Sequence, residues 1–482
     1  MAAFIPNHML AILPEILLLL LGVMVLTLDP FWKDENRRLN LGWLAAGGLF
    51  AIFAVSLLAA RPGNPMLIFG GMLRYDWLGF IFKMLFIFGA AITAIFFMDV
   101  ERLCRRAEAY LLLLVATLGM SLMASAADLV MLYLSIETTS IPLYILAGFL
   151  TGDEKSTESG FKYMLFGALT SAVLLYGFSL LYGFSGKTNL YELGSLFISF
   201  SPLALGVIFL ILVGLAFKIS IVPLHFWAPD VYEGAPTPVA GFLSTASKAA
   251  GFAVLLRLFF IAFPGISLNW SLIFAILAAL TMTIGNLIAL AQKNIKRLLA
   301  YSSIAHAGYA MIGMAAISPL GATSTVFYLI AYILTNLAAF GIVIAFWRVV
   351  GSDEIKAYSG LSRRSPYLAL AMLVAFLSLA GMPPFGGFVA KVFVFVAAVQ
   401  SNYIWLAIVG VLNSIVGLYY YLTVLKYVYL YRMEGEDEDR HPVSISRPFA
   451  IALAVLTVGI ILVGVVFAPW FSLSGGAAVN LF

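Results

Sequence analysis

Long apolar runs recur through this sequence from one end to the other, and no other feature constrains its fold as much. A stretch such as "SLIFAILAALTMTIGNLIAL", residues 271–290, holds no charge. At 1.5 Å per residue it crosses roughly 30 Å of hydrocarbon as one helix. In lipid the backbone must satisfy its own hydrogen bonds, which a single run does only as an α-helix. The composition fits a bilayer solvent: 63% of residues are hydrophobic and 10% charged, against about 25% charged in soluble domains.

Dividing the 482 residues at proline, glycine and charge punctuation predicts fourteen spans. They run 9–28, 40–60, 77–98, 109–127, 129–150, 161–184, 203–224, 237–262, 270–291, 298–316, 321–347, 367–399, 403–431 and 448–470. The fold class is an all-α membrane protein. The first run is too long for a signal-peptide core, no basic residue precedes it and no small-x-small cleavage site follows, so it is expected to remain as a helix. Spans four and five share one oily stretch, read as a hairpin with Asp128 near its turn.

Basic residues set the expected orientation. Loops after odd-numbered spans, with Lys162 and Lys426 at the span ends beside them, carry nineteen Lys and Arg, among them Lys33, Arg105, Lys155, Arg297, Arg363 and Arg440; loops after even-numbered spans carry only Arg61, Arg74 and Lys187. The positive-inside rule then puts both termini on the outer side.

Five cations remain inside spans: Lys83, Lys218, Lys248, Arg257 and Lys391. Lys83 lies about two turns into its helix and Arg257 near the end of its own, and both are expected to snorkel to the interface. The other three fall in mid-membrane, with Glu137 of span five. A charge there costs roughly 2.5–3.5 kcal/mol even on lenient insertion scales, so such groups are read first as functional. Two lie beside proline breaks. In "FKISIVPLHFWAPDVYEG", residues 217–234, Lys218 precedes Pro223 by five residues, and a helix-interior Pro223 would free the carbonyl of Ile219. In "LAGMPPFGGFVAKVFVF", residues 379–395, Lys391 follows Pro383 and Pro384. Matched interruptions in two halves of a membrane chain point to an ion site. Spans four to eight and nine to thirteen form two five-helix units, which the odd helix number inverts across the membrane. Discontinuous spans seven and twelve are each fourth in their unit.

His306 of span ten falls between the lysines, and His225 sits two residues past Pro223. Burial favours the neutral form of an amine or a carboxyl, so either can exchange a proton near neutrality. Three like charges argue against a sodium or potassium site. A purely architectural ion-pair reading competes for the lysines and Glu137, and a hydrogen-bonded core histidine for His306. One cysteine, Cys104, excludes an internal disulfide and a four-thiolate cluster. "GFSGKT" at 183–188 lacks the glycine a phosphate loop needs, because position 181 is Leu. There is no dinucleotide fingerprint, metal set or nucleic-acid patch, so redox chemistry must belong to partner chains.

"FKISIVPLHFWAPDVYEGAPTPV", "NIKRLLAYSSIAHAGY" and "LAGMPPFGGFVAK" resemble the signature stretches of the antiporter-like membrane subunits of respiratory complex I, and the resemblance covers essentially the whole chain. It is closest to the N-type of bacterial NADH–quinone oxidoreductases. M-type chains carry glutamate where this one has Lys391 and tend to read "LPDAH" where it has "APDVYEG"; L-type chains extend into a lateral helix beyond the point where Phe482 stands.

The resemblance implies proton pumping driven by quinone reduction elsewhere in the complex. The family's functional glutamate falls on Glu137 and its lysines on Lys218, Lys248 and Lys391. It also implies no cofactor in this chain, with NADH, FMN, iron–sulfur clusters and quinone on partners. The expected neighbours are an M-type subunit and small K- and J-type subunits in a bacterial inner membrane. The expected divisions are three helices in 1–108, the units 109–262 and 263–432, and a polar loop with a last helix in 433–482. Two other readings stay open: a subunit of a multisubunit cation/proton antiporter or membrane hydrogenase, and a structural membrane spacer.

Overall fold

The computed structural model describes residues 6–32, 35–195, 202–432 and 442–482. Among these, twelve helices are long and apolar enough to cross a membrane, from Leu13–Phe31 to Arg447–Val465. Two expected spans are met differently. Ile295–Ala315 is a 21-residue helix in the tenth position, made less oily by Ser302, Ser303 and His306. The twelfth position is filled by two shorter apolar helices, Pro366–Ala380 and Gly386–Gln400. Lys33, Arg440 and the loop 433–441 expected to follow the second unit lie outside the described residues.

Spans four and five form the predicted hairpin, with helices Ala107–Ser125 and Leu129–Ala147. Asp128 caps the second, its carboxylate accepting from the amide of Val130 at 2.9 Å. The two pack backbone to backbone, since a Cβ on Gly119 would stand 2.6 Å from the amide nitrogen of Thr139.

Loops after even-numbered spans gather on one side. A two-stranded hairpin, Met66–Ile68 with Leu73–Tyr75, meets Ala126 through Leu73, and Asp128 bridges to Asn189. Loops after odd-numbered spans gather on the other, where Asn294 bridges Glu354. Lys155, Lys162, Asp230, Glu233 and Arg297 form ion pairs there at 2.7–2.9 Å. The alternation of crossings read from the charges is thus present in the fold.

Candidate functional site: a line of buried lysines between two broken helices

Span seven stops earlier than its proline. The helix Pro202–Ile219 ends one residue before Ser220, which adopts φ +58°, and a new helix begins at Trp227. Pro223 therefore lies in the connecting turn rather than inside a helix, and the expectation that it frees the Ile219 carbonyl is corrected. The orphan carbonyls are those of the last helical turn. Ala216 O accepts from Ile221 N at 3.0 Å. Phe217 O accepts from Ser220 N at 3.0 Å and from Trp227 Nε1 at 3.1 Å. With those acceptors occupied, the buried Lys218 turns to another helix and donates to Ser140 Oγ at 2.9 Å.

Span twelve solves the same problem differently. Helix Pro366–Ala380 is closed by Gly381 at φ +84°, and the chain restarts at Gly386. Lys391 sits in the second half-helix but reaches back across the break. Its Nζ donates to the carbonyls of Leu379 and Ala380, both at 3.0 Å, and lies 4.6 Å from the centre of the Tyr309 ring. The Lys391 ammonium thus sits at the carbonyl-rich, negative end of a first half-helix. Lys218 lies in the last turn of its own first half-helix, but its ammonium is turned to Ser140.

Lys218 and Lys248 are neighbours. A Cβ on Gly251 would lie 3.4 Å from Lys218 Cγ, and Lys248 stands one turn away on the same helix face. Lys248 follows a π-helical turn, Leu243–Ser247. Its buried Nζ has no hydrogen-bond partner among the described residues and sees the Tyr232 ring at 6.0 Å.

From Lys248 a polar thread crosses to the second half. Ser244, one turn back, accepts from Asn336 Nδ2 at 2.7 Å, and Asn336 also donates to Tyr332 Oη at 3.0 Å. Tyr332 stacks on the buried His306 with ring centroids 5.1 Å apart. His306 Nδ1 pairs with Tyr328 Oη at 2.6 Å, and Nε2 with Tyr421 Oη at 3.3 Å. Beyond it a cavity of about 10 Å³, near the room one water needs, is bounded by His306, Tyr332, Thr335, Ser378, Leu379 and Ala390. It ends at the Leu379 carbonyl that holds Lys391.

The remaining candidates fall less directly on this line. Glu137 accepts a short hydrogen bond from Ser171 Oγ and makes no ion pair within 4.0 Å of Lys218. It lies one turn from Ser140, the hydroxyl that takes Lys218. His225 is buried in the first break against Phe226 and hydrogen-bonds none of the lysines.

Lys83 and Arg257 do not snorkel. Both are buried, Lys83 2.8 Å from Glu15 Oε1 and Arg257 on both carboxylate oxygens of Asp76 at 2.8 Å. The sequence reading named neither acid. It also missed Tyr328, Tyr332 and Asn336, although their spacing of four along span eleven marks one polar helix face.

Comparison with known proteins finds relatives over nearly the whole chain. A family profile described as "NADH:quinone oxidoreductase/Mrp antiporter, TM" matches residues 126–417. NADH-quinone oxidoreductase subunit N of Moorella thermoacetica is 45% identical over 98% of this chain and 99% of its own. A chain of respiratory complex I from Thermus thermophilus superposes with a TM-score of 0.80 at 36% identity, covering 95% of this chain and 98% of that one. A chain of an archaeal membrane-bound sulfane sulfur reductase gives 0.83 at 25% identity, over 98% and 97%.

Proposed function

The chain belongs to the subunit N family of NADH–quinone oxidoreductases, and on that basis we propose the route by which it carries protons. It is a proton-translocating membrane subunit of that translocase complex. The proposed relay runs from Lys218 through Lys248 and His306 to Lys391, with Ser244, Asn336 and Tyr332 completing it. Glu137 acts on Lys218 from one turn away through Ser140, and His225 lies to one side. The observation that carries this reading is the seat of Lys391 on the carbonyls that its own helix break exposes. A backbone opened there gives a proton-bearing amine polar company in a place where lipid offers none.

The domain division proposed is that of two inverted units, 109–262 and 263–432, meeting along this line. Both termini face the outer side of a bacterial inner membrane, a placement that the charge count supports. NADH, FMN, iron–sulfur clusters and quinone belong to other subunits, and an M-type subunit and small K- and J-type subunits are the neighbours.

The test is NADH-driven proton translocation by the intact complex in vesicles, normalised to assembled complex on native gels. Lys218→Arg keeps a charge but, with an ordinary pKa above about 12, cannot release a proton in this range. It should assemble and pump poorly. Wild-type pumping would show that a fixed charge is enough and would remove the relay.

A further inference from the structure

A large cavity lies away from the lysine line. It is a cleft of about 640 Å³ between spans two, three, eleven and fourteen, walled by residues including Leu57, Phe80, Met84, Leu334, Val458 and Trp470. Its walls are almost wholly apolar. An engineered apolar cavity of roughly 150 Å³ already stays dry and takes up benzene, so water will not fill this one. Left empty, it would forfeit more packing than a marginally stable fold tolerates. Along the helix Arg447–Val465, lining runs from Ile451 to Val463, roughly 18 Å at 1.5 Å per residue. That is a little over half of a ~30 Å hydrocarbon core, about the depth of one leaflet.

The cleft has a charge at one end. Arg61 stands one turn beyond the lining residue Leu57, its side chain exposed and its Nε donating to the Leu57 carbonyl. On the same side of the protein, Arg74 lies 3.6 Å from Asp76, and Lys187 pairs with Glu192 at 2.7 Å. Arg61 has no acidic partner among the described residues. Trp470, an aromatic of the kind that settles at the membrane interface, is among the lining residues.

We propose that this cleft binds one acyl chain of a phospholipid from the leaflet on the Arg61 side, with the phosphate held by Arg61. The chain fills the apolar void from the bilayer itself, and the guanidinium fixes the headgroup above it.

The experiment reconstitutes the intact complex with a phospholipid carrying a diazirine near its acyl terminus, then maps photolabelled peptides by mass spectrometry. Peptides carrying Leu57 and Val458 should be labelled, and excess unlabelled phospholipid should displace the label. Ala454→Phe, which places a ring in the cleft, should cut labelling about tenfold. Arg61→Ala should lower it severalfold, and Arg61→Lys should retain most of it. Labelling that does not saturate, or that Ala454→Phe leaves unchanged, would overturn the site. So would a photoreactive amino acid at Val458 that crosslinks to another polypeptide instead of lipid, which would make the cleft a protein interface.

Discussion

Gly381→Ala isolates the seat of Lys391 from the rest of the fold. Gly381 closes its helix at φ +84°, and an added Cβ would stand 2.8 Å from Lys391 Cδ and 3.2 Å from Nζ. The substitution carries two costs. A left-handed L-residue costs about 1–2 kcal/mol. The methyl also pushes Nζ off the Leu379 and Ala380 carbonyls, and hydrogen bonds to a charged group are worth about 1.5–3 kcal/mol each. Gly351 supplies the control, because it closes the helix Pro319–Val350 at φ +70° with nothing within 4 Å of its Cβ position. Gly351→Ala therefore meets only the backbone cost. The difference between the variants is at least one charged hydrogen bond, so Gly381→Ala should pump about tenfold or more slowly, at 1.4 kcal/mol per decade. The assay is proton uptake by vesicles per assembled complex, with NADH oxidation followed alongside. Equal pumping by the two variants would refute the claim that the carbonyl seat of Lys391 matters.

Tyr328→Phe removes the 2.6 Å partner of His306 Nδ1. At about 1 kcal/mol for such a bond, pumping should slow severalfold with assembly unchanged, and an unaltered rate would take His306 off the route. Asp76→Asn leaves Arg257 buried beside a neutral amide. Breaking a buried pair costs about 3–5 kcal/mol, so the complex should melt lower or fail to assemble, while Asp76→Glu should recover part of the loss. Because Pro223 lies outside a helix, Pro223→Ala should leave the break at Ser220 in place and pumping near wild type; a continuous helix in the variant's structure would contradict this. Burial raises the carboxyls of Asp230 and Glu233, but hydrogen bonds from Lys162, Lys155 and Arg297 outweigh it and hold both below their ordinary values of 3.8 and 4.5. A depressed carboxyl contributes stability above its unfolded pKa and loses it as pH falls through the folded one. The melting-temperature gap between wild type and Asp230→Asn should hold from about pH 8 to about pH 5 and close below about pH 4. A gap that widens on acidification would refute the sign.

The crossings were legible because hydrocarbon imposes length and apolarity on each one separately, so they can be read locally. Lys218, Lys248 and Lys391 were legible because each breaks an oily run, and the two breaks because proline and glycine punctuate them. Partners were not legible, because packing chooses them across the sequence. Glu15 meets Lys83 from 68 positions away, and Asp76 meets Arg257 from 181. A rule that lets terminal cations snorkel therefore misread both. The end of span seven was misplaced for a similar reason. An interior proline removes one helical hydrogen bond and crowds the preceding turn, but the helix had already stopped where Ser220 turns left-handed and Trp227 folds back onto the Phe217 carbonyl.

That last contact also explains why the two breaks are furnished so differently. A helix end leaves carbonyls to satisfy, and a buried ammonium needs acceptors, so a lysine at a break answers both needs at once. In span twelve the chain after the break supplies Lys391, and its ammonium caps the Leu379 and Ala380 carbonyls directly. In span seven the chain after the break supplies Trp227, whose indole takes the Phe217 carbonyl, and Lys218 is left to Ser140 on span five. Span five is also the helix that carries Glu137. Diverting Lys218 away from its own helix end thus joins the first break to the helix of the one acidic residue of the line, whereas Lys391 hydrogen-bonds to backbone and sits against the Tyr309 ring. On the proposed relay, Glu137 therefore stands one helical turn from the hydroxyl that holds Lys218, and Lys391 lies beyond the thread from Ser244 to His306.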